Sequence, residues 1–169
     1  MSAMDKTGTV LGRAATKVER ASEVEIVVTR TFNAPARLVY KAWTTPELFM
    51  RWWAPKSIGV PLLSCDMDVR TGGTYRLEFG RDSSQSYAFF GKYIEVVPPT
   101  RLVWTNDEGE AGAVTTVTFE ETNGKTLLTC RDVYPSKAAF EEGHGAEDGF
   151  PEQFEQLDEL LATLGANAS

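Results

Sequence analysis

The alternation of apolar and polar residues begins at Val24. Val24, Ile26 and Val28 fall on one side of an extended segment and Glu25, Val27 and Thr29 on the other, in a run dominated by β-branched residues. That pattern predicts a strand to Phe32. Residues 1–22 carry neither a helical nor a strand period and are expected to form a flexible N-terminal extension. After the strand, Asn33 and Pro35 provide a helix cap and a first-turn proline. Leu38, Val39, Ala42 and Trp43 then recur at helical spacing, and Thr45-Pro46 opens a second short helix predicted over Glu47–Trp53.

From residue 60 the period returns to two. Leu63, Cys65, Met67 and Val69 are expected on one face and Ser64, Asp66 and Asp68 on the other. Tyr75, Leu77 and Phe79 alternate next. A long strand follows over residues 86–97, in which Gly91 suggests a bulge or bend. Strands over Arg101–Thr105, Val114–Glu120 and Thr126–Asp132 complete the run, and Asn123-Gly124 marks a tight hairpin between the last two. Ser136 caps a short helix, Lys137–Glu142. A final helix carries Phe150, Phe154, Leu157, Leu161 and Leu164 on one stripe, widened by Leu160, and is expected to stop at Gly165. The reading is one α+β domain over 23–165 with a tail at 166–169. Seven antiparallel strands form a curved sheet, two short helices follow the first strand, and the terminal helix covers the apolar face.

Composition narrows the function. A chain of 169 residues with 42% hydrophobic residues can bury one sizeable core. The formal net charge of −7 argues against nucleic acid as a partner. The positive residues Lys6, Arg13, Lys17 and Arg20 outnumber Asp5 and Glu19 in the lead, so the body is more acidic than the whole. No apolar run is long enough to insert in a membrane, and MSAMDKTGTVLGRAATK lacks a signal-type apolar stretch, so a cytoplasmic location is expected. One histidine, His144, and two distant cysteines, Cys65 and Cys130, leave no basis for a zinc site, and no metal or cofactor is expected.

Catalytic constellations are equally sparse. Asp66 and Asp68 share a strand face, but it is the polar one, so they read as solvated rather than as an acid–base pair. His144 sits between two glycines and reads as a loop residue. No basic neighbour activates Cys130. Gly72-Gly73 lies between strands and does not lead into a helix, as a phosphate loop does. The conspicuous residues are aromatic. Trp52 and Trp53 are neighbours on a helix and diverge by about 100°, which sends one into the core and the other to a cavity mouth. Tyr75, Tyr93 and Trp104 bring polar tips to apolar strands.

The segments FNAPARLVYKAWTTPELFMRWW, CDMDVRTGGTYRLEF, FGKYIEVVPPTRLVWT and GFPEQFEQLDELLATL, in this order, resemble the AHSA1-like branch of the START/Bet v 1 helix-grip (SRPBCC) superfamily. The branch is named for similarity to the Hsp90 ATPase activator. Two departures stand out: Gly149-Phe150 replaces the usual Gly-Trp, and the N-terminal extension has no counterpart. The resemblance implies a sheet gripping the last helix around a hydrophobic cavity, with a small apolar molecule as partner. The expected lining comprises Trp52, Trp53, Cys65, Met67, Tyr75, Leu77, Phe89, Tyr93, Trp104, Phe150, Phe154 and Leu157. A polyketide cyclase or aromatase activity is the enzymatic alternative, and an Hsp90-type chaperone module a third; a chaperone partner is not expected, and a homodimer is left open. Ligand entry is expected near Phe150 and the Gly143–Gly149 loop, with Trp52-Trp53 on the opposite lip.

Overall fold

A computed structural model describes residues 16–80, 82, 84, 86–107, 112–143 and 149–168. The strands are β1 (Lys17–Ser22), β2 (Glu25–Phe32), β3 (Leu62–Met67), β4 (Thr74–Gly80), β5 (Ser86–Val97), β6 (Arg101–Thr105), β7 (Val114–Thr122) and β8 (Lys125–Val133). The helices are α1 (Ala36–Thr44), α2 (Pro46–Phe49), α3 (Lys137–Gly143) and α4 (Phe150–Ala168). All strands pair antiparallel in one sheet, ordered β1-β2-β8-β7-β6-β5-β4-β3. The sheet therefore has eight strands, not seven. The additional strand, β1, comes from the segment read as a flexible lead. Every residue of it is exposed, so no face needed an apolar period, and pairing with β2 alone defines it.

The hairpin between β7 and β8 turns on Asn123 (φ 54°) and Gly124 (φ 79°), the left-handed pair that a two-residue turn requires. Gly91 pairs with Tyr75 in unbroken register, and the irregularity of β5 lies between Tyr93 and Glu95 instead. Gly91 has a different reason: a Cβ there would stand 2.0 Å from the Thr105 carbonyl oxygen, so only glycine permits that backbone approach. In β3 the register slips between Leu62 and Ser64. This shift turns Leu62 inward and leaves Leu63 exposed, reversing the expected phase there.

The helix termini show what local sequence reading missed. Asn33 does not cap α1. Pro35 occupies that position, and the Ala36 N–H donates to Glu121 Oε1 at 2.9 Å, a carboxylate at the far end of β7. Ser136 does cap α3, its Oγ accepting from the Ala139 N–H at 3.0 Å. α4 continues through Gly165, which does not adopt the left-handed conformation of a helix stop.

Helix α4 packs on β2, and α1 packs on α4, β7 and β8. Phe154, Leu157, Leu160 and Leu161 are buried along the α4 stripe, with Leu164 at its margin. Arg30 of β2 is buried beneath α4, where it donates to Asp158 at 3.4 Å and to Thr16 Oγ at 3.0 Å. Trp43 of α1 is the hub of the core, with ring centroids 4.8 Å from Trp52, 5.9 Å from Trp104 and 6.2 Å from both Phe119 and Phe154. Among the described residues, no helix is long and apolar enough to cross a membrane.

Two substitutions test this packing. Leu157→Ala truncates a fully buried side chain of α4 and is expected to cost about 2–5 kcal/mol in denaturant unfolding. Gly91→Ala is expected to destabilise comparably or abolish folding, because backbone must move. A near-neutral result for Gly91→Ala contradicts the close approach of β5 to β6.

Candidate functional site

The helices cover only part of the sheet. Over β4, β5 and β6 the concave face opens into a cavity of about 550 Å³. Leu77 and Phe79 of β4, Tyr87, Phe89 and Tyr93 of β5, and Trp104 of β6 make its wall. Phe49, Trp53 and Phe150 close the side towards the helices. At one end Phe79, Tyr87 and Phe89 form a ring trio with centroids 5.4–5.8 Å apart. Tyr87 is 52% exposed and Phe89 37%, so this end is the open mouth.

The opposite end is polar. Tyr93, Trp104, Thr115 and Asp132 are successive register neighbours across β5, β6, β7 and β8, and all four line the cavity. Thr115 Oγ donates to Asp132 Oδ1 at 2.5 Å. Asn106 Nδ2 donates to Thr115 Oγ at 3.0 Å and to the Ala113 carbonyl at 2.8 Å. The Tyr75 hydroxyl donates to the Thr105 carbonyl at 2.7 Å and approaches Asn106 Oδ1 at 3.3 Å. Tyr93 is only 4% exposed, and its hydroxyl has no hydrogen-bond partner among the described residues. Burial, then nearby Cys65, Tyr40 and Asp68, pushes the Tyr93 phenol well above its ordinary value, which keeps it protonated as a donor.

The lip is held by α4. Gln156 Nε2 donates to the carbonyls of Trp52 (2.9 Å) and Ala54 (3.1 Å), while its Oε1 accepts from the Lys56 N–H (3.0 Å). Gln153 Nε2 donates to the Trp53 carbonyl. Glu152 accepts from the Ser57 N–H (2.9 Å) and Oγ (2.5 Å). The helix expected to reach Trp53 ends at Phe49; residues 50–53 continue as hydrogen-bonded turns, with the Trp53 N–H donating to the Phe49 carbonyl at 3.1 Å, and the carbonyls of residues 52–54 then serve side chains of α4.

Of the expected lining residues, Trp53, Met67, Tyr75, Leu77, Phe89, Tyr93, Trp104 and Phe150 border the cavity. Trp52, Phe154 and Leu157 do not. All three are fully buried, and Trp52 Nε1 donates to the Ala42 carbonyl at 3.0 Å. Cys65 also lies outside the lining, half-buried in β3. Trp53 and Phe150 are not on opposite lips but in edge-to-face contact, with centroids 6.1 Å apart. His144 and residues 145–148 lie outside the described residues. Asp66 and Asp68 are exposed, and Asp68 pairs with Arg70 at 2.8 Å. Among the described residues, no His, Cys, Asp and Glu side chains gather in a group that could hold a metal ion.

Sequence reading passed over Asn106, Thr115, Asp132 and the latch of Glu152, Gln153 and Gln156. Strand phase held the clue for two of them. Thr115 shares the inward phase of Val117 and Phe119, and Asp132 that of Leu128 and Cys130.

A broad antiparallel sheet bent around one long C-terminal helix, with an apolar cavity between them, defines a helix-grip protein. The chain belongs to the family described as Activator of Hsp90 ATPase homolog 1-like protein, which it matches over residues 33–162. It is similar in fold to a Rhodobacter sphaeroides protein (TM-score 0.79, 23% identity, covering 88% of this chain and 99% of that one). A Nitrosomonas europaea protein gives TM-score 0.75 and 24% identity, covering 87% and 99%. The AHSA1-like protein of Aeromonas hydrophila gives 0.61 and 21%, covering 84% and 94%. No curated protein matches the chain.

Burial raises both thiols. Cys65 is pushed up to about 12, first by desolvation and then by the charges of Asp66 and Glu47. Cys130 is raised well above its ordinary value by burial and then by Asp132. In the native protein at about pH 8, iodoacetamide is expected to label Cys65 on the order of a thousandfold more slowly than free cysteine, and Cys130 also more slowly than free cysteine. Both should label readily in denaturant. Native labelling of Cys65 at the free rate contradicts its desolvated setting.

Proposed function

We propose that the protein binds a small, predominantly apolar molecule in this cavity. The observation that carries the reading is the cavity itself: about 550 Å³, walled by nine aromatic side chains among the described lining residues, with Tyr93, Asn106, Thr115 and Asp132 gathered at the end away from the open mouth. A volume of this size suits a small-molecule ligand, and an apolar wall with a few placed polar groups is how such sites combine affinity with orientation.

Nile red, a neutral apolar dye, provides the test. The wild type is expected to bind it with increased emission. Leu77→Trp projects an indole into the cavity from the middle of β4 and is expected to weaken binding at least about tenfold, with the domain still folded by circular dichroism. Phe150→Ala opens the contact with Trp53 and is expected to speed dye release while destabilising the fold less than Leu157→Ala does. If Leu77→Trp is folded and binds Nile red as the wild type does, the cavity is not the site. If Phe150→Ala destabilises as much as Leu157→Ala and leaves release unchanged, Phe150 is ordinary core.

A further inference from the structure

The hydrogen-bond donors of the cavity indicate which functional group a ligand must carry; this step rests on the cavity being the binding site. At the end away from the open mouth, most side-chain protons are already committed within the protein. Thr115 Oγ gives its proton to Asp132 Oδ1 at 2.5 Å. Asn106 Nδ2 gives its two to the Ala113 carbonyl and to Thr115 Oγ. The Tyr75 hydroxyl gives its proton to the Thr105 carbonyl at 2.7 Å. A hydroxyl carries one proton and an amide nitrogen two, so none of these three side chains has another to offer.

Two side-chain donors at this end have no partner among the described residues, the Tyr93 hydroxyl and the Trp104 indole N–H. Trp104 is half-buried, whereas Tyr93 is 4% exposed. Among the described residues, the buried polar atoms that lack a partner and are also fully enclosed are Arg30 Nε and Trp43 Nε1. The Tyr93 hydroxyl lacks the partner but not the space, and for so buried a residue that space is the cavity it lines. Burial keeps the phenol protonated through the neutral range. Its ring is set between Tyr75 and Trp104, with centroids 5.8 Å and 6.5 Å away. A positioned, desolvated donor of this kind leaves one hydrogen bond to be made. Phe89, at the mouth, lies four residues from Tyr93 along β5, about 13 Å away. The ring trio of Phe79, Tyr87 and Phe89 there makes an apolar berth.

We infer that Tyr93 is the specificity-determining donor of the cavity, and that the ligand is an elongated, ring-containing molecule with a neutral carbonyl at its inner end. The ring body lies against Phe79, Tyr87 and Phe89, and the carbonyl oxygen accepts from Tyr93 Oη. The group required is an acceptor, and a carbonyl is one that brings no proton needing a partner in return. One neutral donor compensates the desolvation of a carbonyl but not that of a full charge.

Two para-substituted probes isolate the carbonyl: acetylbiphenyl and isopropenylbiphenyl, which share one planar body and differ in C=O against C=CH2. Their affinities are read from displacement of Nile red, whose own affinity is measured for each variant. Tyr93→Phe removes the hydroxyl and keeps the ring. It is expected to weaken the ketone on the order of tenfold and to leave the alkene within about twofold of the wild type. The carbonyl stretch of the bound ketone is expected at lower wavenumber in the wild type than in Tyr93→Phe. Because the hydroxyl serves no described protein group, ligand-free Tyr93→Phe is expected to melt no lower than the wild type. Tyr40→Phe removes a phenol hydroxyl from α1, outside the cavity lining, and is expected to leave the ratio of the two probes unchanged. If Tyr93→Phe weakens both probes equally or neither, or if the carbonyl stretch does not move, the assignment is overturned while the cavity reading stands. A lower melting temperature for ligand-free Tyr93→Phe means that the hydroxyl serves the fold, and overturns it as well. If Tyr40→Phe shifts the ratio as far as Tyr93→Phe does, Tyr93 is not its source. If the ketone fails to displace bound Nile red from the wild type, the ligand class is overturned and the cavity reading stands. If Nile red does not bind and the ketone gives no calorimetric signal, both readings fall together.

Discussion

One geometric mismatch underlies this structure. Eight strands at roughly 4.8 Å spacing make a sheet about 34 Å wide, whereas a helix with its side chains is about 10 Å across. One long helix therefore cannot bury the whole concave face. α4 covers the β2 side, α1 fills the space over β7 and β8, and the inner faces of β4, β5 and β6 are left facing a void. Filling that void solidly would take another element. The chain lines it with aromatic rings instead, and these close around a cavity open at the Tyr87–Phe89 end.

The same mismatch explains the load on Trp43 and the latch. The helical side must hold together without support from the uncovered half of the sheet. Trp43 joins α1 to the sheet through Trp104 and Phe119, to α4 through Phe154, and to the lip through Trp52 and Trp53. The amides of Gln153 and Gln156 and the carboxylate of Glu152 then tie residues 52–57 to the first turns of α4. Backbone groups of an irregular loop beside an apolar cavity need such partners, since leaving them buried and unpaired is costly.

The polar end of the cavity follows from strand alternation rather than from an added loop. An inward phase set by Val117 and Phe119 on β7, and by Leu128 and Cys130 on β8, carries Thr115 and Asp132 inward as well. Their hydrogen bond satisfies the threonine, and Asn106 ties the pair to the end of β6.

The order and type of nearly all elements were legible in the sequence because they rest on local periods: two for the strands, 3.6 for α1 and α4, and Asn123-Gly124 for the hairpin. The family resemblance added the architecture. What escaped was non-local. β1 has no buried face, so it leaves no period and exists through pairing with β2. The cap of α1 is a carboxylate from β7, and the carbonyls of the loop after α2 are taken up by glutamines about a hundred residues away. The register slip beside Leu63 inverts a phase that alternation alone reads one way. For the site, the sequence identified aromatic strand residues but could not separate Trp53, Phe150 and Tyr93, which border the cavity, from Trp52, Phe154 and Leu157, which lie in solid core. All of these are apolar positions of the same periods. Which of them meets another side chain and which meets empty space depends on how far one helix reaches across a wide curved sheet, and only the tertiary structure decides that.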